Sequence, residues 1–118
     1  MILKRVILVV LLLLKFTTYS QVNLTAGAPT YFENFNTLAN TGTPTWTDNT
    51  TPLVGWYSTK NGTTYGINTG SNNANNVYSF GASLATDRAL GAISTATTHR
   101  FAVRIKNNDP VQSITSLT

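Results

Sequence analysis

TWTDNTTPLVGWYSTKNGTTYG, residues 45–66, carries the strongest fold signal in the chain. It contains both tryptophans of the chain, Trp46 and Trp56, among many Thr, Asn and Gly residues. Asn and Gly favour turns, whereas Trp, Tyr and Thr favour strands. The stretch therefore predicts short strands joined by turns. It leaves two roles open for its aromatic side chains, which could stack against a sugar ring or fill the core of a small β-protein.

Further strand patterns lie on both sides of this stretch. The clearest is RFAVRIKNN, residues 100–108, in which Phe101, Val103 and Ile105 share one face and the intervening residues share the other. The turn signal NNDP and the looser alternation of VQSITSLT, residues 111–118, predict a second strand that completes a β-hairpin. Other short strands are predicted in the segments 29–35, 53–59, 63–68 and 75–82.

The spacing of these segments predicts the fold class. No stretch of useful length has helical periodicity, and the best candidate, residues 79–93, is interrupted by Gly81 and Gly91. Asp87-Arg88 in its centre indicates a turn between two extended pieces. Five or six short strands about ten residues apart are typical of an all-β domain, an antiparallel β-sandwich or barrel.

The first twenty residues have the three parts of a secretory signal peptide. A basic pair at residues 4–5 is followed by nine apolar residues at 6–14 and by a more polar stretch that ends at Ser20. A membrane-spanning helix needs about 20 apolar residues, so the interruption at Lys15 favours export over anchoring. We predict cleavage after Ser20, which leaves residues 21–118 as one domain with no membrane segment.

Loss of this segment changes the charge of the protein. The complete chain has eight Lys and Arg against four Asp and Glu, but three of the basic residues lie in the predicted signal. The exported part would carry five basic and four acidic residues, a net charge of +1. Nucleic-acid binding requires a basic surface on the folded domain, so no nucleic-acid partner is predicted.

Composition indicates a folded, exported bacterial protein. The chain has no cysteine, which excludes disulfides, zinc–thiolate sites and a cysteine nucleophile. In an exported domain of this size, the absence of disulfides favours a bacterial source. Ten aromatic residues remain after the signal, and this favours a folded β-protein over disorder. We expect a secreted, extracellular or cell-surface location.

Candidate catalytic groups are few. His99 is the only histidine, and we expect it at the exposed start of a strand rather than as a general base. The four acids, Glu33, Asp48, Asp87 and Asp109, are far apart in sequence, and their spacing does not indicate a glycosidase pair. No catalytic residue is assigned and no cofactor is expected. Calcium would suit the Asn- and Asp-rich loops, but no DxDxDG-like run is present.

The aromatic residues of the opening stretch are the remaining candidates for a site. Trp46, Tyr57 and Tyr65 are predicted as ligand-binding residues, because a flat apolar ring matches the C–H face of a pyranose. Adjacent strand residues point to opposite faces, so one of Trp56 and Tyr57 faces the core and the other faces outward. We assign Trp56 to the core and expect Trp46 to be displayed. The predicted partner is a polysaccharide or a cell-surface component.

Four segments, at residues 35–42, 46–57, 87–91 and 101–117, follow a recurrent order. Together they resemble the leading domain of large secreted proteins of Bacteroidetes and some other environmental bacteria. The resemblance implies a jelly-roll-like β-sandwich at the front of a longer exported chain, and it transfers no catalytic residues. The matching positions are Phe35, Leu38, Thr41, Gly42, Trp46, Gly55, Trp56, Tyr57, Asp87, Arg88, Leu90, Gly91, Phe101, Arg104, Asn107, Ile114, Ser116 and Leu117.

Two functions remain open from the sequence. The first is a secreted, non-catalytic β-sandwich module, an interaction or carbohydrate-associated domain. The alternative is an accessory domain of a secreted hydrolase, a nuclease, phosphatase or glycosidase whose catalytic domain lies beyond residue 118. The chain stops inside a predicted strand, before the YxGEQWR continuation of the similar proteins. We therefore expect the sandwich to be incomplete at its C-terminal end.

Overall fold

The computed structural model describes residues 21–116. The predicted signal peptide, residues 1–20, and the end of the predicted C-terminal strand, residues 117–118, lie outside the described residues. The described part contains strands and irregular segments but no helix, which confirms the all-β fold class. The strands are β1 (Val22–Leu24), β2 (Trp56–Ser58), β3 (Gly66–Asn68), β4 (Asn76–Phe80), β5 (Ala89–Ile93), β6 (Phe101–Val103) and β7 (Ile105–Asn107).

The strands pair in three small sheets of mixed direction. β2 pairs with β6, and β4 with β5, in antiparallel register. β1 pairs with β7, and β3 with β4, in parallel register, so the antiparallel prediction is wrong for these two pairs. Asn68 folds back the connection between β3 and β4. Its Oδ1 accepts the N–H groups of Gly70 (2.7 Å) and Asn72 (3.3 Å), and its Nδ2 donates to the carbonyl of Asn72 (3.0 Å).

The predicted strand at residues 100–108 changes its partner at Arg104. On its N-terminal side β6 pairs with β2, while on its C-terminal side β7 pairs with β1. The N–H of Arg104 donates to the carbonyl of Gly55 (2.8 Å), and its carbonyl accepts the N–H of Val22 (2.9 Å). Gly55 has a φ of 85°, and a Cβ there would lie 2.9 Å from the backbone nitrogen of Val22. Glycine is therefore required where the starts of β1 and β2 meet Arg104, the residue between β6 and β7.

The predicted strand at residues 29–35 is irregular. Glu33 Oε1 accepts the N–H of Phe35 (2.8 Å), and Asn34 Oδ1 accepts the N–H of Asn36 (3.0 Å). Phe35 has a φ of 62°, in the left-handed region, which strand residues do not adopt. The strand prediction is wrong here because side-chain oxygens compete with a sheet for these backbone donors.

The predicted strand at residues 111–118 is also absent from its described part. Asp109 Oδ1 accepts the N–H groups of Val111 (2.8 Å) and Gln112 (3.1 Å), which turns the chain instead of extending it. The C-terminal hairpin prediction is therefore wrong, and β7 takes β1 as its partner.

The predicted turn within residues 79–93 lies earlier than Asp87-Arg88. β4 and β5 form an antiparallel pair, and in their connection the N–H of Ala85 donates to the carbonyl of Ala82 at 3.1 Å. The two extended pieces are confirmed, while the tight turn precedes the predicted position.

The hydrophobic core is built around an aromatic cluster. The ring of Trp46 has its centroid 6.1 Å from those of both Tyr65 and Phe101. Aromatic side chains contribute a large part of the buried area in a small domain. Partly buried residues from β2, β5 and β6 pack against this cluster, so two of the three sheets share one core. The buried members are Leu38, Trp46, Leu53, Tyr65 and Val77.

Arg88 is the buried charged residue of the described chain, with 3% of its surface exposed. Its Nε donates to the hydroxyl of Ser79 (2.8 Å), its Nη1 to the carbonyl of Ala82 (3.1 Å), and its Nη2 to the carbonyl of Ser79. Asp87 beside it is exposed. The guanidinium is thus solvated by a hydroxyl and by carbonyl dipoles, and it ties β4 to the connection that leads into β5.

We expect Arg88→Met to lower the free energy of unfolding by about 2–4 kcal/mol. The apolar stem is retained, but the buried hydroxyl and carbonyl of Ser79 lose their donor. Urea unfolding followed by circular dichroism measures the change. Asp87→Asn is the matched control and is expected to stay within about 0.5 kcal/mol of the wild type. Equal stability of the two variants would contradict a stabilising role for Arg88.

Candidate functional site

Trp46, which the sequence predicts to be displayed, is buried. It is 4% exposed, and Tyr65 beside it is 6% exposed. The N–H of Trp46 donates to the carbonyl of Thr63, and its carbonyl accepts the N–H of Gly62, both at 2.9 Å. This pairing folds residues 44–48 against the turn that follows β2 and turns the indole towards the core. The prediction of display is therefore wrong for Trp46.

Asp48 fixes the buried indole to β2. Its Oδ1 accepts the indole N–H of Trp46 at 2.7 Å and the backbone N–H of Ser58 at 2.9 Å. Next to it, the backbone N–H of Asn49 donates to the carbonyl of Trp56 at 2.7 Å. Interior donors that lack a partner are costly. The WTDN segment therefore acts as a polar clamp that positions β2.

A small cavity of about 60 Å³ lies beside Trp46 and Tyr65. Ligand pockets usually measure roughly 300–1,000 Å³, so this cavity is small for a sugar ring. The hydroxyl of Tyr65 accepts the N–H of Ala39 at 3.3 Å, and its ring meets that of Trp46 edge to face. Both side chains stabilise the core in this arrangement.

Tyr57, the third predicted ligand-binding residue, lies on the outer face of the β2–β6 pair. Trp56 pairs with half-buried Val103, whereas Tyr57 pairs with exposed Ala102. Since adjacent residues of a strand point to opposite faces, Trp56 faces the core and Tyr57 faces away from it. The packing of Trp56 against the core agrees with the prediction, whereas Tyr57 on the other face is half-buried rather than fully exposed.

A larger concave surface lies between β1, the irregular segment at residues 29–35 and the strands β2, β6 and β7. It measures about 530 Å³. We call it the aromatic groove. The lining residues that matter for its chemistry are Tyr31, Glu33, Phe35, Trp56, Val103 and Ile105.

A chain of hydrogen bonds orients the rings of the aromatic groove. The indole N–H of Trp56 donates to the hydroxyl of Tyr31 (2.8 Å), which donates to Oε2 of Glu33 (3.1 Å). The other carboxylate oxygen, Oε1, accepts the N–H of Phe35 (2.8 Å). The rings of Phe35 and Trp56 meet edge to face with centroids 5.0 Å apart. The carboxylate of Glu33 therefore orients the Tyr31 ring directly and the Trp56 ring through Tyr31, and it fixes the backbone that carries Phe35.

Sequence patterns alone do not predict the aromatic groove. A signal for part of it is present in YFENF, where aromatic residues surround the only glutamate of the chain. Strand-like alternation would put Tyr31, Glu33 and Phe35 on one face. The contribution of Trp56 has no local signal, because it is 25 residues away from Tyr31 along the chain. Trp56 packs against the core, as predicted, and also lines the groove.

The aromatic groove has negative charge. Glu33 is the one residue with an ionic side chain among its lining residues in the described chain. Arg104 and Lys106 alternate with Val103 and Ile105 and are exposed. Adjacent residues of an extended chain point to opposite faces, so these two cations lie on the face away from the groove-lining Val103 and Ile105. The groove therefore combines apolar rings with one half-buried carboxylate.

The other acidic and basic residues of the described chain lie outside the aromatic groove. Within residues 21–116, no group of three His, Asp or Glu side chains could hold a metal ion. His99 precedes β6 and is half-buried, which differs from the exposed position expected. The backbone N–H of His99 donates to Ser94 Oγ (3.2 Å), and its ring Nδ1 lies 3.5 Å from Thr59 Oγ1.

The described part of the chain also has no helix long and apolar enough to span a membrane.

Comparison with known protein families, curated proteins and solved structures finds no match for the chain. The resemblance to the leading domain of secreted Bacteroidetes proteins stays a prediction.

We expect Asp48→Ala to lower the free energy of unfolding by about 2–3 kcal/mol. The indole N–H of Trp46 and the N–H of Ser58 would both lose their acceptor. Asp48→Asn keeps an oxygen at the same place, so its loss should be less than half as large. Urea unfolding of the two variants measures this difference. A loss in Asp48→Asn equal to that in Asp48→Ala would contradict the clamp.

We expect the stability of the protein to depend on pH through the phenol of Tyr31. Burial raises the pKa of Tyr31 above its ordinary value of 10.0; the hydrogen bond from Trp56 lowers it, and the negative charge of Glu33 raises it. Folding therefore favours the neutral phenol. This contribution to stability is complete below pH 10.0 and is lost as the pH rises through the raised pKa. We expect the Tm of the wild type to fall more steeply above that pH than the Tm of Tyr31→Phe. Parallel pH profiles in differential scanning fluorimetry would contradict this expectation.

Proposed function

We propose that the protein is a secreted, non-catalytic β-sandwich module that binds carbohydrate through the aromatic groove. The observation that carries the proposal is a cluster of three aromatic side chains, two of them linked by hydrogen bonds to one carboxylate, around a concavity of about 530 Å³. This volume falls in the range of roughly 300–1,000 Å³ that is usual for ligand pockets. The jelly-roll-like sandwich belongs to the same proposal, and the core shared by two sheets supports it.

The aromatic groove has two kinds of surface that match those of a pyranose. The rings of Tyr31 and Trp56 offer flat apolar area to the C–H face of a sugar. An ionised carboxylate has about four acceptor sites. At Glu33 the O–H of Tyr31 and the N–H of Phe35 occupy two of them, which leaves acceptor capacity for sugar hydroxyls. Because the rings are already oriented, binding would cost little side-chain entropy.

Export and the nature of the partner are part of this proposal. The signal-like residues 1–20 and the net charge of +1 in residues 21–118 support an extracellular or cell-surface location without nucleic-acid binding. A polysaccharide or a glycan of a cell surface is the proposed partner. The resemblance of four sequence segments to leading domains of secreted bacterial proteins supports a place at the front of a longer chain.

The same groove would serve the second candidate function, an accessory domain of a secreted hydrolase with its catalytic domain beyond residue 118. A sugar-binding groove on such a domain would hold the enzyme at a polymeric substrate. A nuclease or phosphatase would gain nothing from it, so the geometry favours a glycosidase among the three hydrolases. Calcium in the Asn- and Asp-rich loops stays a prediction for either function.

Binding of the purified protein to a panel of soluble polysaccharides tests the proposal. Affinity gel electrophoresis is expected to show retardation of the wild type by at least one polymer. Tyr31→Ala and Trp56→Ala should each weaken binding by about tenfold, the equivalent of about 1.4 kcal/mol. The reason is the loss of stacking area together with the hydrogen bond that orients the remaining ring.

The control for these variants is Phe32→Ala. Phe32 is 84% exposed and adjacent to Tyr31, but it is not among the lining residues of the groove. Its removal should leave binding unchanged, and circular dichroism checks that every variant folds. Tyr57→Ala tests the outward aromatic predicted from the sequence. Loss of binding in Tyr57→Ala with full binding in Tyr31→Ala would contradict the groove. Absence of binding by the folded wild type to every polymer would contradict the proposed function.

A further inference from the structure

We infer that the aromatic groove selects uncharged saccharides and rejects those that carry carboxylate or sulfate groups. This inference rests on the proposed function and identifies the class of ligand that the same site takes. It assigns Glu33 two roles, because the carboxylate orients the rings and also sets the charge that a ligand meets.

The position of Glu33 makes its charge effective. The carboxylate is half-buried, and its two oxygens accept hydrogen bonds from neutral donors, the Tyr31 hydroxyl at 3.1 Å and the Phe35 N–H at 2.8 Å. Neither bond neutralises the negative charge. The apolar side chains of Trp56 and Ile105 line the same groove, so a charged group of a ligand that packs on them would lie close to the carboxylate.

No cation of the described chain lines the aromatic groove beside this carboxylate. The basic residues next to the lining residues Val103 and Ile105 in the sequence are Arg104 and Lys106. They are exposed on the opposite face, so an acidic sugar in the groove would meet Glu33 without a lining cation to pair with. Uncharged hydroxyl groups, in contrast, would donate hydrogen bonds to the free acceptor sites of the carboxylate.

Glu33→Gln separates the charge of this residue from its structural role. The amide oxygen of Gln can still accept the N–H of Phe35, and the amide nitrogen can donate to the Tyr31 oxygen. The orientation of the rings is therefore preserved while the negative charge is removed. We expect the variant to bind uncharged polymers within about threefold of the wild type and to gain affinity for acidic ones.

The experiment uses matched pairs of polymers. A β-glucan, a galactomannan and pullulan are each compared with the same polymer oxidised at C6 to the carboxylate, so that backbone and linkage stay constant. For each pair that binds, wild-type protein should prefer the uncharged form by at least about tenfold. In Glu33→Gln this preference should fall to about threefold or less, mainly through tighter binding of the oxidised polymer. Added NaCl should reduce the wild-type preference, because salt screens the repulsion.

Asp87→Asn is the matched control, since it makes the same change in net charge at an exposed site outside the aromatic groove. It should keep the wild-type preference. Equal wild-type affinity for both members of a pair, or an unchanged preference in Glu33→Gln, would overturn the inference while the proposed function stands. If the folded wild type binds no polymer of either kind, the proposed function is wrong and the inference falls with it.

Discussion

The carboxylate of Asp48 is the contact on which both the core and the aromatic groove depend. It accepts the indole N–H of Trp46, the central aromatic side chain of the core, and the N–H of Ser58 at the end of β2. Trp56 lies two residues before Ser58 and on the same face of the strand. The bonds of Asp48 therefore fix Trp46 in the core and also position β2, the strand that carries the indole of Trp56 into the groove.

Polar side chains build much of the remaining backbone structure. Asn68, Asp109 and Glu33 each accept backbone N–H groups a few residues along the chain. In a chain rich in Asn and Thr, such local bonds compete with sheet formation at many positions. The strands are accordingly three to five residues long, and segments without sheet partners connect them. The same competition creates the groove, because the segment around Glu33 curls over the sheet instead of joining it.

Local sequence pattern predicted the strands well where neighbouring side chains do not form hydrogen bonds with the backbone N–H groups. β2, β3, β4 and β6 lie inside predicted segments, and the alternation from Phe101 to Ile105 is present in the burial of those residues. The predictions were wrong at 29–35 and 111–116, where an acidic side chain turns the chain. The pairing of the strands could not be predicted from local sequence pattern either. The strand at residues 100–108 changes its partner from β2 to β1 at Arg104, and this change depends on residues more than 45 positions away.

Local sequence patterns specify the all-β class, the positions of several strands and the opposite orientation of Trp56 and Tyr57. These features depend on neighbours along the chain, through alternation and turn preference. The tertiary structure decided that Trp46 is buried and that Trp56 joins Tyr31 in the groove. Alternation shows that two faces exist, but which face is covered depends on distant segments that pack against it, and those contacts leave no local signal in the sequence.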